Sequence, residues 1–94
     1  MNSIPGALLQ LGRINGDSCD VTLATRANLS VPPHRHDTHN YVQVCSGVLY
    51  LTLDGTERAI GAGQWCDIPA GALHAERFAE ETTVIVFWKK EAAA

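Results

Sequence analysis

Short runs rich in β-branched and aromatic residues, interrupted by Gly, Pro, Asp and Asn, recur along the whole chain and leave no stretch with helical periodicity. Turn signals at a spacing of about eight to twelve residues belong to an all-β sandwich or barrel. The expected strands are Ala7 to Leu11, Cys19 to Val31, Tyr41 to Ser46, Val48 to Leu53, Glu57 to Ile60, Trp65 to Ile68, Leu73 to Phe78 and Thr82 to Trp88. Asp54-Gly55 lies between two of them and suits a tight hairpin with positive φ. Gly61-Ala62-Gly63 and Pro69-Ala70-Gly71 bracket the short run Trp65 to Ile68, supplying backbone freedom or a fixed φ where the chain reverses.

A chain of 94 residues allows one domain and one modest core. We expect a barrel core over about 18–89, preceded by a strand segment, 1–17. The apolar share of 46% against 18% charged residues places the chain with folded globular proteins, not disordered ones. Its net charge of -3 is scattered, and the basic residues form no cluster beyond Lys89 and Lys90, which argues against nucleic acid as a partner. No window reaches the roughly eighteen apolar residues of a membrane span, and the N-terminus lacks a basic, apolar leader. The sequence therefore reads as cytoplasmic. Cys19, Cys45 and Cys66 are odd in number and never at CxxC spacing, so they read as buried, reduced thiols.

All four histidines fall in two segments, VPPHRHDTHNYVQVCSG before the central hairpin and GQWCDIPAGALH after it. Alternate strand residues share a face, so His34 and His36 project to one side, and Asn40 has the same parity. His74 follows the Pro69-Ala70-Gly71 turn, and a barrel can bring its strand against that of His34. An HxH pair alone is common, and a lone histidine usually sits at the surface or in a satisfied core. Three imidazoles that leave coordination positions open are the pattern of a reactive metal site, not a closed structural one.

Both segments resemble the two signature motifs of the cupin superfamily. In the first, G-x5-H-x-H-x3-4-E-x6-G, the matches are His34, His36 and Gly47, with Asn28 at the leading glycine and Asn40 at the glutamate. In the second, G-x5-P-x-G-x2-H-x3-N, they are Gly63, Pro69, Gly71 and His74, with Phe78 at the final asparagine. Asn28 is a mild departure, because Asn tolerates left-handed backbone. The resemblance spans Asn28 to Phe78, about half of the chain. It implies a small single-domain cupin of the cupin 2 conserved-barrel type: a double-stranded β-helix, or jelly-roll barrel. It also implies one divalent transition metal, Zn, Fe, Ni, Mn or Cu, on His34, His36 and His74.

Asn40 replaces the family's ligand carboxylate by a neutral amide. The fourth ligand is then Asn40 itself, or His39 if a bulge across Asp37 to His39 reverses its strand parity. Glu76 shares parity with His74, although a solvated strand residue is the simpler reading. An ion with neutral ligands keeps its full charge and favours an anionic or enolisable small molecule. The resemblance points to three-histidine dioxygenases acting on β-diketone or flavonol-like substrates, with an isomerase or lyase close by. The alternatives are a non-catalytic binding or sensing module, or a metal-free structural barrel. Tyr50, Trp65, Phe78, Phe87 and Trp88 are candidates to shape the cavity, most of them as plain core. A homodimer is expected, with Ala7 to Leu11 pairing across its interface.

Overall fold

The structure, a computed structural model, describes residues 8–90. Among these run β1 (Leu8–Asn15), β2 (Cys19–Arg26), β3 (Leu29–His34), β4 (His39–Ser46), β5 (Val48–Leu53), β6 (Thr56–Gly61), β7 (Trp65–Ile68), β8 (His74–Phe78) and β9 (Thr82–Lys89). They form two antiparallel sheets, ordered β1-β2-β9-β4-β7 and β3-β8-β5-β6. Two facing antiparallel sheets are the jelly-roll answer to apolar alternation, since each strand buries every second residue against the other layer. From the first sheet come Val42, Val44, Cys66, Ile68, Val84 and Val86; Leu49, Leu51, Ile60 and Phe78 meet them from the second.

Turn chemistry is as the residue types dictate. Asp54 and Gly55 both take positive φ, 53° and 77°, in the turn between β5 and β6. The expected single strand from Cys19 to Val31 is in fact two, because Asn28 adopts φ 51° and sends β3 into the other sheet. β1 is longer than expected, running through Gly12 with a register shift after Gln10, and it pairs with β2 of its own chain. The segment expected to bridge a dimer is thus an edge strand of its own sheet; Ala7 lies outside the described residues.

Strand parity also sorts the aromatics and cysteines. Phe78 is buried and Trp88 packs on the core, but Trp65 is exposed and stacks on Phe87, while Tyr50 carries the Arg77 guanidinium 4.1 Å above its ring. Trp65 alternates with buried Cys66 and therefore points outward. Only Cys66 fits the expectation of a buried thiol, and its burial pushes its pKa up to about 11. Cys19 is half-buried and Cys45 exposed.

One close approach locks the corner between β4 and β5. Gly47 has φ 79°, and a Cβ there would lie 2.4 Å from the Glu81 carbonyl oxygen and 2.5 Å from Thr82 Oγ1. Thr82 is fully buried; its hydroxyl accepts from Val48 N–H and lies within donating distance of the Val48 and Glu80 carbonyls. Gly63 has a similar φ, 84°, but nothing within 4 Å. Gly63→Ala should therefore cost only the left-handed penalty, about 1–2 kcal/mol. Gly47→Ala adds a backbone clash and should exceed that by about 2 kcal/mol or more. Denaturant melts of the two variants beside the parent measure the difference; equal losses would show that the close approach is relieved at no cost.

Candidate metal centre

β3 and β8 pair through Val31↔Glu76 and His34↔His74, so three steps on one strand oppose two on the other. Pro32 and Pro33 occupy the extra length, and neither has an N–H for the ladder. The irregularity flips parity once, so Val31 and His34 both line the interior despite their odd separation. His36 lies beyond the end of β3, where strand alternation no longer aims it. Its backbone carbonyl instead accepts from Gly71 N–H at 2.9 Å, tying the loop to the turn before β8. Its ring meets Trp88 edge-on at 5.2 Å, and Trp88 is held by donating Nε1–H to buried Thr22 Oγ1 at 2.9 Å.

These restraints bring together His34, His36 and His74. Ring centroids are 4.7 Å apart for His34 and His36, 4.2 Å for His34 and His74, and 5.1 Å for His36 and His74. One nitrogen from each ring lies within 4.8 Å of the others. Backbone carbonyls set two tautomers. His34 Nδ1 donates to Pro32 O at 2.8 Å and His74 Nδ1 to Ala72 O at 3.0 Å, which leaves each Nε2 as a bare lone pair. The His34 and His36 Nε2 atoms are 3.1 Å apart, a separation that two ligands at about 2.1 Å from one ion span at roughly a right angle.

His74 is 2% exposed, and its Nε2 has no hydrogen-bond partner. A buried acceptor left unpaired is costly, and an ion shared with the other two imidazoles would satisfy it. The donor set fits a transition metal: three neutral nitrogens, with carbonyl-bound Nδ1–H groups orienting two of them. Burial lowers the pKa of His36 below its usual 6.5, and proximity to His34 and His74 lowers it further, which favours the neutral, ligating form.

Of the other candidates, Asn40 is buried on the inner face, its Oδ1 accepting from Thr38 Oγ1 at 2.8 Å. His39 is not in the cluster. It keeps the opposite parity, lies against the Tyr41 ring at a tilt and pairs through Nε2 with Asp67, so no bulge turns it inward. Glu76 is no solvated strand residue either: it faces the interior, 2.7 Å from Arg26 Nη1. His34, His36 and Asn40 open onto a cavity of about 300 Å³ between the sheets, walled by Leu29, Val31, Val42, Leu49, Phe78 and Trp88. Sequence reading missed Arg26. Its place at the end of a strand, facing inward by the parity of Thr22 and Ala24, was the available signal.

Comparison with known proteins agrees with this architecture. The family described as "Cupin domain" matches residues 20–89. The quercetin 2,3-dioxygenase of Bacillus subtilis (strain 168) is 36% identical over 77 residues, which are 80% of this chain and 23% of that protein. The chain thus spans under a quarter of the length of that relative. Among solved structures, a cupin superfamily protein from Desulfitobacterium hafniense DCB-2 superposes with a TM-score of 0.85 at 14% identity, over 97% of this chain and 84% of its own. A cupin 2 conserved barrel domain protein from Leptotrichia buccalis gives 0.84 at 18% identity, over 96% of this chain and 44% of its own. Because the family match runs from β2 to the end of β9 and takes in all three clustered histidines, the chain belongs to the cupin family.

Proposed function

We propose that the protein is a metal-dependent cupin acting on a small enolisable molecule, with a dioxygenase as the leading activity. The observation that carries this reading is the unpartnered His74 Nε2, facing two further imidazoles at the end of a mostly apolar cavity. The name and 36% identity of the Bacillus subtilis relative support the choice of dioxygenase. A divalent transition ion held by His34, His36 and His74 would supply Lewis acidity, favouring the ionised form of an enolisable ligand.

The chain's own residues do the rest. His34 and His74 present fixed lone pairs because their Nδ1 protons are committed to carbonyls. Leu29, Val31, Val42, Leu49 and Phe78 make the wall largely apolar apart from the paired Arg26 and Glu76, so charges inside it are weakly screened. Asn40 offers a neutral amide where a carboxylate would cancel part of the ion's charge, so the ligand is expected to be anionic when bound. A binding or sensing role without turnover is the second reading, favoured by the make-up of the cluster, which among the described residues contains histidines alone.

Elemental analysis of untagged protein should give about one equivalent of metal, and His34→Ala/His74→Ala should lose it. The same metal at a hundredfold excess over Kd should stabilise the parent by about 2.7 kcal/mol and leave the double variant unmoved in thermal melts. Oxygen uptake with acetylacetone or quercetin, present in the parent and absent from the variant, would establish the oxygenase. Metal without uptake would leave the binding reading. Protein that takes up no Fe, Ni, Mn, Cu or Zn on reconstitution would overturn both.

Asn40 can be tested separately. Asn40→Glu should raise metal affinity by about 10–100-fold if that side chain reaches the ion. Quenching of Trp88 fluorescence by Cu(II) reads the affinity; an unchanged midpoint would place Asn40 outside the coordination sphere.

A further inference from the structure

The cavity has a second polar group in its lining. Arg26, the last residue of β2, and Glu76 on β8 both line it, and Arg26 Nη1 donates to Glu76 Oε2 at 2.7 Å. The side chains are 18% and 13% exposed, and the guanidinium stands 5.1 Å from the Phe78 ring centroid. Arg26 Nε is buried and has no acceptor. A pair serving stability alone gains by satisfying every desolvated donor, because an unmet one works against burial. This pair leaves one buried N–H unmet in a side chain that lines a cavity.

Its position relative to the histidines sets what could use it. Glu76 follows His74 by two residues on one strand face, which separates their backbones by roughly 7 Å. On the β8 face Glu76 follows directly on His74 with Phe78 beyond it, and the rest of the wall is largely hydrocarbon, including Val31 and Leu49. A volume of about 300 Å³ is at the small end for ligand sites. Sugars and nucleotides would leave many polar groups facing that wall unpaired. A short apolar skeleton carrying acceptor oxygens matches it.

We propose that Arg26 is the second anchor of the cavity's ligand, and that the ligand is a small organic acid whose carboxylate accepts from Arg26 Nε–H while its other oxygens face the histidines. Glu76 positions the guanidinium and offsets its charge, so the anion is held reversibly. The histidine half of this assignment rests on the metal reading; the Arg26 half does not.

Benzoate is the probe, with benzyl alcohol as the uncharged comparison, titrated calorimetrically into the full chain dialysed against EDTA and again into metal-loaded protein. The metal-free parent should bind benzoate at least tenfold more tightly than benzyl alcohol. Glu76→Gln, which leaves the guanidinium charge uncompensated, should tighten benzoate binding about tenfold. Arg26→Gln should weaken it tenfold or more, with near-ultraviolet circular dichroism confirming the fold. Arg26→Lys, which keeps the charge and loses the Nε–H, should also weaken it and serves where Arg26→Gln does not fold. Opposite signs for the Glu76 and Arg26 variants are the signature of a ligand anchor. Equal weakening by both, or no benzoate binding by folded metal-free parent, overturns the proposal. Failure of metal uptake is read in the loaded arm alone and leaves the metal-free result intact.

Discussion

Three imidazoles can share one point only if His34 and His74 face each other on the same side of a sheet, and regular pairing from Val31 onward would forbid it. Side chains alternate with a period of two, so a residue three steps from an inward Val31 must point outward. Pro32 and Pro33 remove the conflict, because two residues without N–H groups interrupt the β3–β8 ladder where an extra residue is needed. Placement of His36 then follows from the same corner, through the hydrogen bond from Gly71 to its carbonyl. The site is therefore built on a deliberate break in register, with the unbroken sheets around it holding that break in place.

The interior serves as core and cavity at once, which sets a strict condition on every polar group inside it. Thr82 meets the condition with three neighbouring backbone groups and Asn40 with Thr38. Of the buried atoms without a hydrogen-bond partner among the described residues, Asp20 Oδ1 lies 3.1 Å from Lys90 Nζ and has an ion pair instead. The other two, His74 Nε2 and Arg26 Nε, belong to the histidine cluster and to the cavity wall. Unmet polar capacity is thus concentrated in residues beside the cavity, which is the distribution expected of a binding site and not of a packing defect.

Much of this was legible in the residues themselves. Turn chemistry is local, so Asp54-Gly55 could be read without knowing the fold, and Asn28 takes positive φ as its residue type allows. The clustering of the histidines on two segments was equally visible. Other features depend on long-range pairing. Cys19 to Val31 looks continuous in sequence, and only the change of sheet at Asn28 separates β2 from β3. Arg26 and Glu76 are fifty residues apart, and each alone reads as a solvated strand charge; only their meeting makes burial tolerable for both. Trp65 and Phe87 misled in the opposite sense, since large aromatics suggest core while parity puts these two on the outer face.

Charge ties the histidines to the Arg26–Glu76 pair. Arg26 and Glu76 cancel within the wall, and burial together with His34 and His74 disfavours a proton on His36, so the lining itself holds little net charge. Asn40, in the place where a carboxylate would stand, adds none. An ion seated on three neutral imidazoles would then have no protein counter-charge beside it, and in a weakly screened interior that imbalance acts on whatever enters. On the proposed reading the missing anion is the ligand, drawn toward the histidines by the ion and oriented by the unused Arg26 N–H. Selectivity would follow from shape as much as from charge, because a molecule that meets the ion without reaching the guanidinium leaves a buried group unmet.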